Sequence, residues 1–190
     1  MRIAFVAVAA CAIGLASACT SPDHHAATTS SAAGTEQADH NADDIAFAQS
    51  MVPHHEQAIE MAQMVPTNTE NQQLVGLANQ VISTQVPEVQ ALRVWLMQWQ
   101  DASGHDPATH EGAPMAGMVS EATMDKLRTL HGADFDRLWL MSMIDHHRGA
   151  IAMAQQEVAR GKNPDVIYLA KSIVTAQQSE IDQMNRMLGG

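Results

Sequence analysis

The chain is poor in cysteine. Its 190 residues contain two, Cys11 and Cys19, both in the first nineteen positions. If that segment is removed or modified, the rest has no thiol, so no disulfide and no thiolate ligand for zinc. Positive charge is also scarce: ten Lys and Arg stand against 21 Asp and Glu, a formal net charge of −11. That balance argues against nucleic acid and against docking on anionic lipid. No stretch alternates apolar and polar residues with β-branched enrichment, so strands are not expected. No phosphate-binding loop or obvious nucleophile stands out either. Aromatics make up only 4% of the chain, whereas methionine reaches 13 and histidine 10. The chemistry has to be sought among those last two.

The one long apolar run, Ile3 to Leu15, is too short to cross a bilayer and follows a single positive residue, Arg2. Leu15-Ala16-Ser17-Ala18-Cys19 resembles a lipobox. This predicts a signal peptide over 1–18, lipidation at Cys19 and a membrane-anchored position on the extracytoplasmic face, periplasmic or cell-surface. Residues 19–42 are rich in Ser, Thr, Ala, Gly and His and lack large apolar side chains. They read as a disordered tether, because so little apolar surface cannot offset ordering entropy. Residues 43–190 then form a single domain.

That domain is duplicated. Met51-Val-Pro-His-His-Glu-Gln-Ala-Ile-Glu-Met-Ala62 aligns with Met143-Ile-Asp-His-His-Arg-Gly-Ala-Ile-Ala-Met-Ala154, with seven of twelve positions identical. The same offset pairs Asp44 with Asp136, Phe47 with Trp139, Gln85 with Gln177, Glu88 with Glu180 and Leu96 with Leu188. A constant register over this distance marks a repeat, with units of about 43–103 and 134–190. Each unit reads as a helical hairpin. In the first, Asp43 or Asp44 caps a helix stopped by Pro66, and Thr67-x-x-Glu70 opens a second that Pro87 interrupts and kinks. In the second, a helix runs from about Asp134 to Arg160 with Gly161 as its C′ residue, and Asn163-Pro164 starts the last. Gly104 to Val119 is expected as a loop carrying His105, His110, Met115 and Met118, followed by a short helix to about Leu130 that His131 closes. Two hairpins packed together give an all-α four-helix bundle.

Helical spacing places Phe47, Met51, His54, Ala58, Met61 and Val65 on one stripe, with His55 on its flank. Trp139, Met143, His146, Ala150 and Met153 repeat the stripe, with His147 on the flank. A His on an apolar face needs a partner, since an unsatisfied buried imidazole costs about 1–3 kcal/mol. Two such pairs flanked by methionines point to a metal held by Met51, His54, His55, Met61, Met143, His146, His147 and Met153. Glu88 and Glu180 would orient the imidazoles from neighbouring helices. Imidazole and thioether without thiolate favour copper, above all Cu(I), while zinc stays open. Because a neutral imidazole must bind, affinity is expected to fall below about pH 6.5. No His follows a Glu by three places, and there is no His-Glu-x-x-His, so neither a di-iron nor a zincin motif is present. His24, His25, His40, His105 and His110 read as solvated linker residues.

The paired segments around His54-His55 and His146-His147 resemble the DUF305 family, over essentially Ala42 to Leu188. The resemblance implies a ferritin-like bundle, often exported, in which some members bind copper. It carries over to Met51, His54, His55, Met61, Met143, His146, His147 and Met153, and to Glu88 and Glu180. Asp145 stands where the first copy has Pro53, so the two halves need not bind alike. The reading is a lipid-anchored protein that binds or buffers copper and is not an enzyme. It leaves a homodimer open. The alternatives are a structural or partner-binding lipoprotein without metal, and a metal-dependent oxidoreductase.

Overall fold

The computed structural model describes residues 40–103 and 115–189. The expected signal peptide, the expected lipidation site Cys19, most of the expected tether with His24 and His25, and the loop segment with His105 and His110 lie outside the described residues. Those described form five helices: α1 (Ala42–Asn68), α2 (Gln72–Ser103), α3 (Glu121–Thr129), α4 (Gly132–Arg160) and α5 (Pro164–Gly189). The long helices make two hairpins, α1–α2 and α4–α5, which meet mainly through α1 and α4, while short α3 rests on both of those. The expected bundle is therefore present, with the expected short helix beside it.

The helix starts differ from expectation in an informative way. Asn41, and not Asp43 or Asp44, caps α1: its side chain accepts from the N–H groups of Asp43 and Asp44, and Asp44 returns the bond to the Asn41 N–H. The amide of Asn41 also donates to the Arg160 carbonyl at 2.8 Å. At α2 the capping side chain is Asn71, which accepts from the Gln73 N–H at 3.1 Å and donates to Asp136 at 2.9 Å. The expected Thr67–Glu70 box does not form, because the Thr67 hydroxyl is bonded to the Met64 carbonyl and to Asn68. Several residues in each stretch can cap, and the one that also reaches across to the other hairpin prevails.

Pro66 does not end α1, which continues to Asn68, and α2 runs on through Pro87 as one helix. Proline removes one N–H but leaves φ at a helical value, so packing on both sides can carry the helix through. His131 is the N-cap of α4 and makes no side-chain capping bond, so it does not close α3. Gly161 has φ −58° and is not a left-handed C′ residue. Its lack of a side chain matters for another reason: a Cβ there would lie 1.9 Å from Glu157 Oε1. His40, expected as linker, stacks on Trp99 with ring centroids 4.7 Å apart.

Repeat-equivalent residues cross-brace the hairpins. Asp136 on α4 holds Asn71, the cap of α2. Asp44 on α1 accepts from the backbone N–H groups of Lys162 and Asn163 at 3.1 and 2.9 Å. Asn163 in turn caps α5 by accepting from the N–H groups of Asp165 and Val166, as its sequence position suggested. Replacing Asn163 with alanine is expected to lower stability by about 1 kcal/mol, read as a reduced midpoint in urea denaturation.

The core is split in two. One apolar cluster gathers Ala58, Met61, Val65, Leu77, Phe135, Trp139 and Met143 among others. The other gathers Phe47, Met51, Leu92, Trp99, Ala150 and Ile173. On each long helix the two groups are separated by buried polar residues: His54 and His55 on α1, Gln85 and Glu88 on α2, His146 and His147 on α4, Gln177 and Glu180 on α5. A polar belt thus crosses the middle of the bundle between two apolar halves.

Candidate metal centre

The belt places the four histidines as the duplication implied, and buries all of them, including the flank residues His55 and His147. Across the α1–α4 interface the rings of His54 and His146 lie 3.8 Å apart, centroid to centroid, at 38°. The His147 ring is 6.3 Å from that of His146. In each half the second histidine meets the glutamate of its own hairpin: His55 Nε2 is 2.9 Å from Glu88 Oε2, and His147 Nε2 is 2.6 Å from Glu180 Oε2. Glu88 and Glu180 therefore each pair with one imidazole of their own hairpin.

The hydrogen bonds share a direction. A carboxylate can only accept, so Nε2 is the donor in His55 and His147, and the Ala116 carbonyl imposes the same role on His54 Nε2 at 3.1 Å. In the neutral tautomer Nδ1 of each ring then carries the lone pair. Those three Nδ1 atoms are buried without a hydrogen-bond partner, as are both ring nitrogens of His146. Buried polar atoms are nearly always satisfied, so a cluster of unmatched imidazole nitrogens calls for a ligand or water. Among the described residues no three His, Cys, Asp or Glu side chains already stand together as a coordination shell. Ring rotation would be needed to bring these nitrogens onto one ion.

Burial also sets protonation. It drives His54 down to about 4, with the nearby His55 adding to the effect. His146 is held well below the ordinary value for the same reason, reinforced by His54. Both rings are neutral at pH 7, the form a metal requires. Met51, Met61 and Met143 are fully buried in the two apolar clusters, and Met153 packs partly buried against the second.

The family model that matches residues 44–188 is that of a domain of unknown function, DUF305. This chain belongs to the DUF305 family. Its fold is similar to that of a DUF305 protein from Streptomyces coelicolor, with a TM-score of 0.70 and 33% identity, covering 77% of this chain and 91% of that one. A DUF305 fragment from Deinococcus radiodurans is similar at a TM-score of 0.68 and 32% identity, covering 78% and 97%. CopM in its Cu(I)-bound form matches at 0.64 and 30%, covering 76% and 94%, and CopM is also known in Cu(II)-bound and Ag-bound forms. An uncharacterised protein of Acanthamoeba polyphaga mimivirus is 43% identical over 53 residues, 28% of this chain, and the match spans 35% of its length.

In this DUF305 protein three features of the site escaped the sequence reading. Gln57 binds the backbone of Val119 through both ends of its amide. Gly149 makes room for the Ala116–Gly117 backbone. The Ala116 carbonyl orients His54. The available signal was divergence: Gln57 and Gly149 occupy the same position in the two repeats, three places beyond the first histidine.

Proposed function

We propose that this DUF305 protein binds copper through the histidine belt, with Cu(I) preferred, and buffers or delivers it outside the cytoplasm without catalysing a reaction. The observation that carries this reading is the set of buried, unpartnered imidazole nitrogens at the α1–α4 interface. Three of the rings are already oriented by an oxygen on the opposite nitrogen, the arrangement usual for metal-bound histidine. His54 and His146 would supply the central donors, with His55 and His147 beside them. Met51, Met61, Met143 and Met153 would supply thioethers. Similarity to CopM, known with Cu(I), Cu(II) and Ag, supports a soft ion over a hard one. The provisional description of the Streptomyces coelicolor protein as secreted, together with the lipobox-like Cys19, supports a lipid-anchored extracytoplasmic place. Because burial holds His54 down to about 4, proton competition at that ring begins lower than the pH 6.5 of a free imidazole.

A purely structural role has one observation in its favour: His55 and His147 are already paired with glutamates. Titration separates the two. The full chain is expected to bind Cu(I) tightly, with weaker Zn(II) binding, and His54→Ala/His146→Ala to lose at least a hundredfold in Cu(I) affinity while remaining folded by circular dichroism. A wild type that takes up neither Cu(I), Cu(II) nor Zn(II) would refute metal binding and leave the belt as a hydrogen-bonded core.

A further inference from the structure

The strap Met115–Val119 leads toward α3 and has no helical structure of its own. It runs against the two helical turns that carry the histidines. Its Ala116 carbonyl holds His54 Nε2. A Cβ on Gly117, whose φ is +85°, would lie 2.7 Å from the Asp145 carbonyl oxygen and 3.0 Å from that of His146. A Cβ on Gly149 would lie 1.9 Å from the Ala116 carbonyl oxygen. Backbone therefore rests directly on backbone, which only a glycine on each side permits. The far end of the strap is held by Gln57, whose amide nitrogen donates to the Val119 carbonyl at 2.9 Å and whose amide oxygen accepts from the Val119 N–H at 2.8 Å.

We infer that Met115–Val119 is the lid of the ion site and Gln57 its clasp, so that copper enters and leaves when this strap lifts. The inference rests on the copper reading of the histidine belt. The other covers of the belt are long helices and two packed apolar clusters, whose opening would expose core. The strap is half-buried apart from exposed Ala116, and it is tied down by the two Gln57 bonds, the His54 bond and the packing of Val119 at the edge of the first cluster. Local opening draws on such thinly bonded segments. Lifting also releases His54 Nε2 from its carbonyl, freeing that ring to turn toward an ion. The two ends of the device occupy equivalent repeat positions: Gln57 clasps on α1, and Gly149 provides the seat on α4. Gln57 is a positioning residue, since it acts on the site through the strap.

The test uses the full chain as wild type, Gln57→Ala and Gly149→Ala, with two readouts. Metal-free protein is followed by hydrogen exchange at the Val119 amide, and Cu(I)-loaded protein by stopped-flow transfer of Cu(I) to a chelator. Loading with Cu(I) is timed in the same way. Both variants are expected to exchange Val119 faster and to load and release Cu(I) about tenfold faster, the scale of losing one or two hydrogen bonds. Gln57 is half-buried, so its variant stays folded even if the Gly149 variant does not. Faster Val119 exchange with unchanged loading and release would overturn the lid, and unchanged exchange in Gln57→Ala would overturn the clasp. A wild type that takes up no Cu(I) fails at an earlier step, removing the copper reading and this inference with it.

Discussion

Glu180→Ala is expected to destabilise the protein by about 3–5 kcal/mol, the cost of breaking a buried pair and leaving its partner unmatched. Glu180 is 2% exposed and His147 fully buried, with 2.6 Å between their bonded atoms. Glu180 also accepts from the Gln80 side chain at 3.1 Å, tying α2 to α5. The repeat-equivalent Glu88→Ala is expected to cost less: Glu88 is 9% exposed, so water can reach the vacated space, and its bond to His55 is longer. Urea denaturation of both variants measures the difference. Glu180→Gln adds a second comparison, because glutamine can still accept from a neutral His147. Recovery of most of the loss would mean a neutral hydrogen bond, and recovery of little would mean an ion pair. Equal losses in Glu180→Ala and Glu88→Ala would contradict the asymmetry between the halves.

The second large effect is on pH. Metal-free protein is expected to be most stable near about pH 6.5 and to lose stability on both sides. On the acid side, His54 titrates near 4 when folded, against 6.5 for a free ring. Between those values the unfolded chain binds a proton that the folded one rejects. The stabilisation is therefore complete above 6.5 and disappears as pH falls toward 4, about 3 kcal/mol for this ring. His146 is shifted in the same direction and deepens the loss. On the alkaline side the sign reverses. Burial and the neighbouring Asp44 raise Glu157 from 4.5 to about 8, so the folded state holds a proton that the unfolded state has released. That contribution is whole below 4.5 and is lost as pH rises through 8. Denaturation midpoints from pH 4 to 9, with chelator present, test both limbs. Glu157→Gln should flatten the alkaline limb and steepen the acid limb between about pH 4.5 and 6.5, where Glu157 opposes the histidines. A profile flat below pH 6.5 in that variant would contradict the burial of neutral His54 and His146.

Much of this architecture was readable in the repeat. A fixed offset that pairs His55 with His147 and Glu88 with Glu180 required both glutamates to meet their histidines in the same way, and they do. Helical periodicity placed His54 and His146 inside, but it left His55 and His147 on the flank. Their full burial comes from α2 and α5 covering that flank, which a single-helix projection cannot include. Cap positions are not fixed by sequence where several capping residues run together, around Asn41 and around Asn71. The choice there is made by contacts with Arg160 and Asp136, more than a hundred and about sixty residues away. The strap was legible only as a loop. Its role depends on a main-chain carbonyl and on two glycines meeting, and neither leaves a periodic signal.

The cross-braces have a consequence for symmetry. Asp44 secures the turn of the second hairpin, and Asp136 holds the α2 cap of the first, so each hairpin braces the other. Two identical hairpins could exchange the same braces only as a twofold pair. In such a pair position 57 would be the same residue on both sides, and a strap could not be clasped by one copy and seated on the other. Carrying both repeats in one chain removes that constraint. With Gln57 on one side and Gly149 on the other, the site has a front and a back.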